Sequence, residues 1–184
     1  MFSANEFKSH LLGVFEISIF MKAGVSRFQP DFKMMLRSFF WPALLMPVAV
    51  VTASLLSSDA ARHSFDFLLM LHSFRIIATF GLSLGLIYFL AKKTDRTQYI
   101  FQYITTTNWF EIAMFIIVSP ILVILMMGGV VDDIQNYAIF VTCLGVVYCG
   151  YIVTHALRIP WELATLVAVS LLFVQETGFD LVSM

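Results

Sequence analysis

Charge is what this 184-residue chain has least of: 12% of its residues are Asp, Glu, Lys or Arg, against about a quarter in a soluble domain. With 60% hydrophobic residues and a mean hydropathy of +0.89, a soluble core of this length could not hide the apolar surface. A soluble globular fold is excluded. The net charge of −1 also lacks the basic footprint of a nucleic-acid binder. Cysteine is nearly absent. Cys143 and Cys149 stand six residues apart in an apolar run and point to different helix faces, so they read as buried free thiols, not a disulfide. Catalytic motifs are missing as well: there is no Walker loop, GxSxG, HExxH or aspartate pair within an apolar span. His63, His72 and His155 are scattered over different segments, and Glu111 and Glu162 have no His or Cys at ligand spacing. Neither enzymatic activity nor a cofactor nor a metal is expected. The N-terminus is not expected to be a cleavable signal, because Glu6, Lys8, His10, Glu16 and Lys22 break up its apolar residues, and no lipidation motif is read at either end.

What is present is a series of apolar spans. The chain is organised around FDFLLMLHSFRIIATFGLSLGLIYFLAKKTDR, residues 65–96, which closes on Lys92, Lys93 and Arg96. Its uninterrupted apolar part, residues 76–91, is about 24 Å long as helix, short of the roughly 30 Å hydrocarbon core. The helix is therefore expected to start earlier and to carry His72 and Arg75 into the outer bilayer. Spans are expected at about residues 38–56, 67–91, 109–127, 137–154 and 161–176, the last short and its end near Gln175 and Glu176 uncertain in depth. Pro47 falls inside the first and Pro120 inside the third. Residues 1–33 divide from the bundle of residues 34–184 as an amphipathic helix and a connector, with Gly24 and Pro30 as breakers. In that helix Phe7, Leu11, Val14 and Phe15 recur at three- and four-residue spacing, so it should lie in the headgroup plane or cover the ends of neighbouring spans.

Positive charge orients the bundle. Lys8, Lys22, Arg27, Lys33 and Arg37 precede the first span, Lys92, Lys93 and Arg96 follow the second, and Arg158 follows the fourth; the other side has Arg62 and several acids. The positive-inside rule then puts the N-terminus in the cytoplasm and the C-terminus outside. The expected fold class is an all-α integral membrane protein, a five-span helical bundle with an N-terminal cytoplasmic amphipathic helix.

Several residues are candidates for more than span formation. Arg75, with His72 three residues away on the same face, is an intramembrane charge that either serves a substrate or proton path, or snorkels outward, or pairs with Asp66, Asp132 or Asp133 near the outer surface. Gly81 and Gly85 form GxxxG, and Gly145 with Cys149 offers a similar edge in the fourth span, so packing of the second span on the fourth, or of two copies, is expected. Asn108 reads as an N-cap with Glu111 at the third helical position, and Glu162 stands beside Pro160 and Trp161 at the fifth span's start; these carboxylates suit helix N-termini.

Three pieces carry a family resemblance: RFQPDFKMMLRSFFWPALLMP leading into the first span, YITTTNWFEIAMF at the third, and YIVTHALRIPWELA between the fourth and fifth. Asn108-Trp109, Arg37 and Pro47 belong to it. The chain resembles the small five-span proteins of the Ypt-interacting (YIP) domain class, in particular their bacterial relatives. The resemblance implies a fold and a bacterial inner membrane as home, more than an activity. The expected function is a non-enzymatic scaffold or accessory subunit, its partners the lipid bilayer and another membrane protein or a second copy. The alternative is a small-solute or ion transporter using Arg75 and His72.

Overall fold

The computed structural model describes residues 3–56, 63–127 and 131–183, with the side chains of residues 52, 53, 55, 56, 125, 126, 131–134 and 175–183 left aside. Among the described residues every regular element is helical: α1 Ala4–Ser18, α2 Lys22–Ser26, α3 Phe32–Ser38, α4 Phe40–Leu56, α5 Phe65–Lys93, α6 Ile100–Met126, α7 Val131–Leu157 and α8 Trp161–Ser183, with a 3-10 turn at Thr97–Tyr99. Four stretches are long and apolar enough to cross a membrane, Phe32–Val51, Phe65–Lys93, Thr97–Ile124 and Gln135–Leu157; Trp161–Val174 is a shorter apolar run. Helices satisfy their own backbone groups, which is what a lipid surround requires.

The five long helices close into a ring. α4 packs on α5, α5 on α8, α8 on α7, α7 on α6, and α6 on α4. Near the α5–α6 and α7–α8 connections the ring is filled by Ile87, Tyr103, Ile104, Ile152, Val153 and Val167. The same end is capped by the N-terminal helices, because α1 and α3 pack on α6 and α2 on α7.

The cap is a helical hairpin whose two backbones nearly touch. A Cβ on Gly24 would lie 2.6 Å from the Gly13 carbonyl oxygen and 2.8 Å from the Ile17 nitrogen, so no larger residue fits. The reversal runs through Phe20 at φ 57°, a left-handed position unusual for a bulky side chain. Glu16 and Arg27 lock the hairpin with two parallel bonds of 2.6 and 2.7 Å, and the Arg27 guanidinium holds the Glu16 carboxyl below its ordinary range. Two long-range bonds fasten it to the ring: Gln102 Nε2 donates to the Val25 carbonyl, and the Tyr148 hydroxyl to that of Ser18.

Several expectations change here. The helix at 109–127 starts instead at Ile100, because Thr105 and Thr106 donate their hydroxyls back to the carbonyls of Phe101 and Gln102 and so continue a buried helix. The amphipathic helix ends at Ser18, and Gly24 lies inside α2 instead of breaking the chain. Its apolar stripe is divided: Leu11, Leu12, Phe15 and Ile19 are exposed, while Val14 is buried with His10, Gly13 and Ile17, and Phe7 lies against Trp109. The boundary at residues 33 and 34 falls within α3. Cys143 is exposed and not buried; Cys149 is half-buried, and both are free. Pro47 and Pro120 are carried within continuous helices.

A Gly24→Ala substitution sets a methyl group against backbone atoms that have no rotamer by which to yield. It should cost about 1–3 kcal/mol of cap docking, read as faster proteolysis between α1 and α3 with the long helices still protected.

Candidate functional site

Trp109 is the point where the cap meets the ring. It is fully buried, with its ring 4.9 Å from His10, 5.2 Å from Trp41 and 5.6 Å from Phe7. His10 in turn stacks on Phe28 at 5.1 Å. One residue earlier Asn108, 2% exposed, donates through Nδ2 to Ser38 Oγ at 2.9 Å, and the Ser38 hydroxyl in turn donates to the Met35 carbonyl. Asn108 is therefore not a helix N-cap, and Glu111 is not at a third helical position. Both lie well inside α6, and Asn108 instead joins α6 to α3. In the sequence Trp109 marked only the start of the third span; the WF pair gave no sign that a helix 100 residues earlier would cover it.

Glu162 does lie in the first turn of α8, where the Ala164 amide bonds to the Pro160 carbonyl. At the same end Arg158, at φ 54°, lies over the Tyr99 ring and donates to its hydroxyl at 2.9 Å. The lysines and arginines gather there: Lys8, Lys22, Arg27, Lys33 and Arg37 on the cap, Lys92, Lys93, Arg96 and Arg158 at the two connections. Arg75 stands within α5, and Arg62 lies outside the described residues.

His72 and Arg75 share one face of α5, as expected, and both are buried, at 5% and 7% exposure. Arg75 is thus held inside the protein and not spread along its surface. Asp66 is exposed in the first turn of α5, about 13 Å along the helix from Arg75, too far to be its partner. The proposed partners Asp132 and Asp133 lie outside the described side chains. Both His72 nitrogens are buried without a hydrogen-bond partner. Half-buried Thr79 and Ser83 continue the same polar face.

The glycine seam behaves differently from its expectation. Nothing lies within 4 Å of a Cβ built on Gly81 or Gly85, and both are exposed, so α5 does not use them to meet the fourth span. It packs chiefly on α4 and α8. Gly145 faces α6, with Met114 Cε at 3.5 Å. A groove of about 370 Å³ between α7 and α8, lined by Phe20, Gly150, Tyr151, His155 and Trp161 among others, contains none of the expected site residues.

The class this geometry defines is an all-helical protein of membrane character with a capped end and an open small-residue seam. No protein-family model, no curated protein and no solved structure matches the chain.

The clasp around Trp109 should respond to pH. Burial holds His10 below its ordinary value of 6.5, with Glu6 pulling in the opposite direction. The docked imidazole therefore refuses a proton that the released helix accepts as pH falls through 6.5. Docking is strongest above about pH 7 and weakens on acidification by at most about 1.4 kcal/mol per pH unit. Tryptophan fluorescence and proteolysis between about pH 8 and pH 5 should follow this loss, and His10→Phe should flatten it.

Proposed function

We propose that this protein is a non-enzymatic integral membrane scaffold or accessory subunit, which binds another membrane protein through α5 and through its capped end. The observation that carries this reading is the open seam at Gly81 and Gly85. Small residues in a span let another helix backbone approach closely, and association in lipid depends on such packing because no hydrophobic effect drives it. Inside this chain a glycine pair, Gly13 and Gly24, is used in that way by α1 and α2, whereas the pair on α5 has no neighbour. Exposed Phe74, Ile77 and Tyr88 extend the seam along the helix.

In this reading α8 is a fifth span, since it packs along both α5 and α7, each of them long enough to cross. The cation-rich capped end faces the cytoplasm, the C-terminus lies outside, and the membrane is a bacterial inner membrane. The outward stripe of α1, with Leu11, Leu12, Phe15 and Ile19 exposed, rests in the headgroup layer as an interfacial helix. The same reading makes the chain a relative of the YIP-like class, on the sequence resemblance of its first, third and fourth spans. A transporter or channel built on His72 and Arg75 is the second reading, favoured by the unpartnered His72 imidazole and the polar face it begins. The filled core and the cap across one end weigh against an open path through the ring.

Mass determination of the native assembly extracted in mild detergent tests the proposal. A stoichiometric second protein is expected, and Gly81→Leu should lower its recovery at least about tenfold. The variant should still fold, because the new side chain meets open space. A lone monomer would remove the scaffold reading, and loss of solute flux in liposomes on Arg75→Ala in a folded protein would favour the second.

A further inference from the structure

The groove between α7 and α8 is a concavity that the seam on α5 does not use. Gly150 lines it where the two helices come close, with the Ala168 Cβ 3.8 Å from where a Cβ on Gly150 would stand. Val147 and Trp161 on its walls are 53% and 66% exposed, so it opens outward from the bundle. Its lining changes along its length. Thr154 and His155 lie in the last turn of α7, with Trp161 and Thr165 opposite them on α8, while Val146 and Val147 lie farther from the cap. From His155 to Val146 is about 13 Å along the helix, close to half of the roughly 30 Å hydrocarbon core. The groove thus has the reach of one leaflet, apolar at depth and polar at the capped end.

The cap adds a cation at that polar end. Phe20, at the reversal between α1 and α2, borders the groove with its ring 5.3 Å from Tyr151, and the Tyr151 ring is 4.5 Å from His155. Two residues beyond Phe20, exposed Lys22 opens α2, the helix that packs on α7, and it stands within electrostatic reach of His155. Among the described residues Lys22 forms no ion pair, whereas Arg27 is held by Glu16 and Arg158 by the Tyr99 hydroxyl. No acid lines the groove; Glu162 adjoins Trp161 in the chain but lies outside the lining.

We infer that this groove binds an anionic phospholipid of the leaflet at the capped end, with an acyl chain along α7 and α8 and the headgroup phosphate at Lys22. A basic side chain beside an interhelical groove meets both parts of such a molecule at once, its charge at the surface and its hydrocarbon below. A lipid of no net charge, or an apolar helix, fills the same walls but brings no net counter-charge to Lys22. The site requires α7 and α8 to be spans, as in the function proposed above, but no partner at α5.

The test is quenching of tryptophan fluorescence in the full chain, reconstituted in phosphatidylcholine vesicles at constant ionic strength. A fixed fraction of the lipid is phosphatidylglycerol or phosphatidylcholine brominated near the headgroup end of its chains. The Trp161 signal is the difference between the wild type and Trp161→Phe. Brominated phosphatidylglycerol should show a roughly fivefold higher relative association than brominated phosphatidylcholine. The preference should vanish in Lys22→Gln, a change at an exposed side chain, and persist in Lys93→Gln, which removes an equal charge at the same end but away from the groove. Equal quenching by the two lipids would overturn the site and leave the spans standing. A preference unchanged in Lys22→Gln, or lost as fully in Lys93→Gln, would do the same. No quenching by either lipid would remove the reading of α8 as a span together with the site.

Discussion

The close crossing of α1 and α2 at Gly13 and Gly24 is the contact on which the capped end depends. Only two facing glycines let the backbones come this near. Their approach sets Phe28 beside His10 and His10 beside Trp109, so that a short hairpin covers the largest side chain of the core. The Glu16–Arg27 pair is partly screened at the surface, and its contribution is geometric more than energetic. With the hairpin in place, Gln102 and Tyr148 find backbone carbonyls to bond, and the polar start of α6 can be buried.

That capping divides the molecule into unlike halves. Near the connections the ring is dense, with an aliphatic and aromatic core shared by α5, α6, α7 and α8. Beyond it the protein-facing side of α5 carries Thr79, Ser83, Arg75 and His72. That polar face is turned into the protein, while the outward glycine seam is compatible with assembly in the bilayer. The two features use different faces of the same helix and do not compete.

Much of the fold was legible in the chain. Low charge and long apolar runs determine helices of membrane length, because lipid leaves backbone groups no other partner, and α5 and α7 run beyond the spans expected for them at both ends. The cations at the two connections mark one end for the same reason. The shared face of His72 and Arg75 follows from the helical repeat alone. Legibility ended where polar residues changed their meaning by context. A Thr run before Asn108 has the look of a connector and a cap, yet back-bonded hydroxyls make it an interior helix.

What the sequence by itself determined was therefore the class of element, its length and its charged end, all of them local properties. The tertiary structure alone decided which faces are used. It split the stripe of α1 between an outer and a protein-facing side, put His10 and Trp109 together across a separation of about a hundred residues, and left Gly81 and Gly85 open while closing Gly13 on Gly24. In a chain apolar on nearly every side, hydrophobic periodicity does not distinguish lipid from protein. The partner of each face is set by close packing and by the few polar side chains that must find one another.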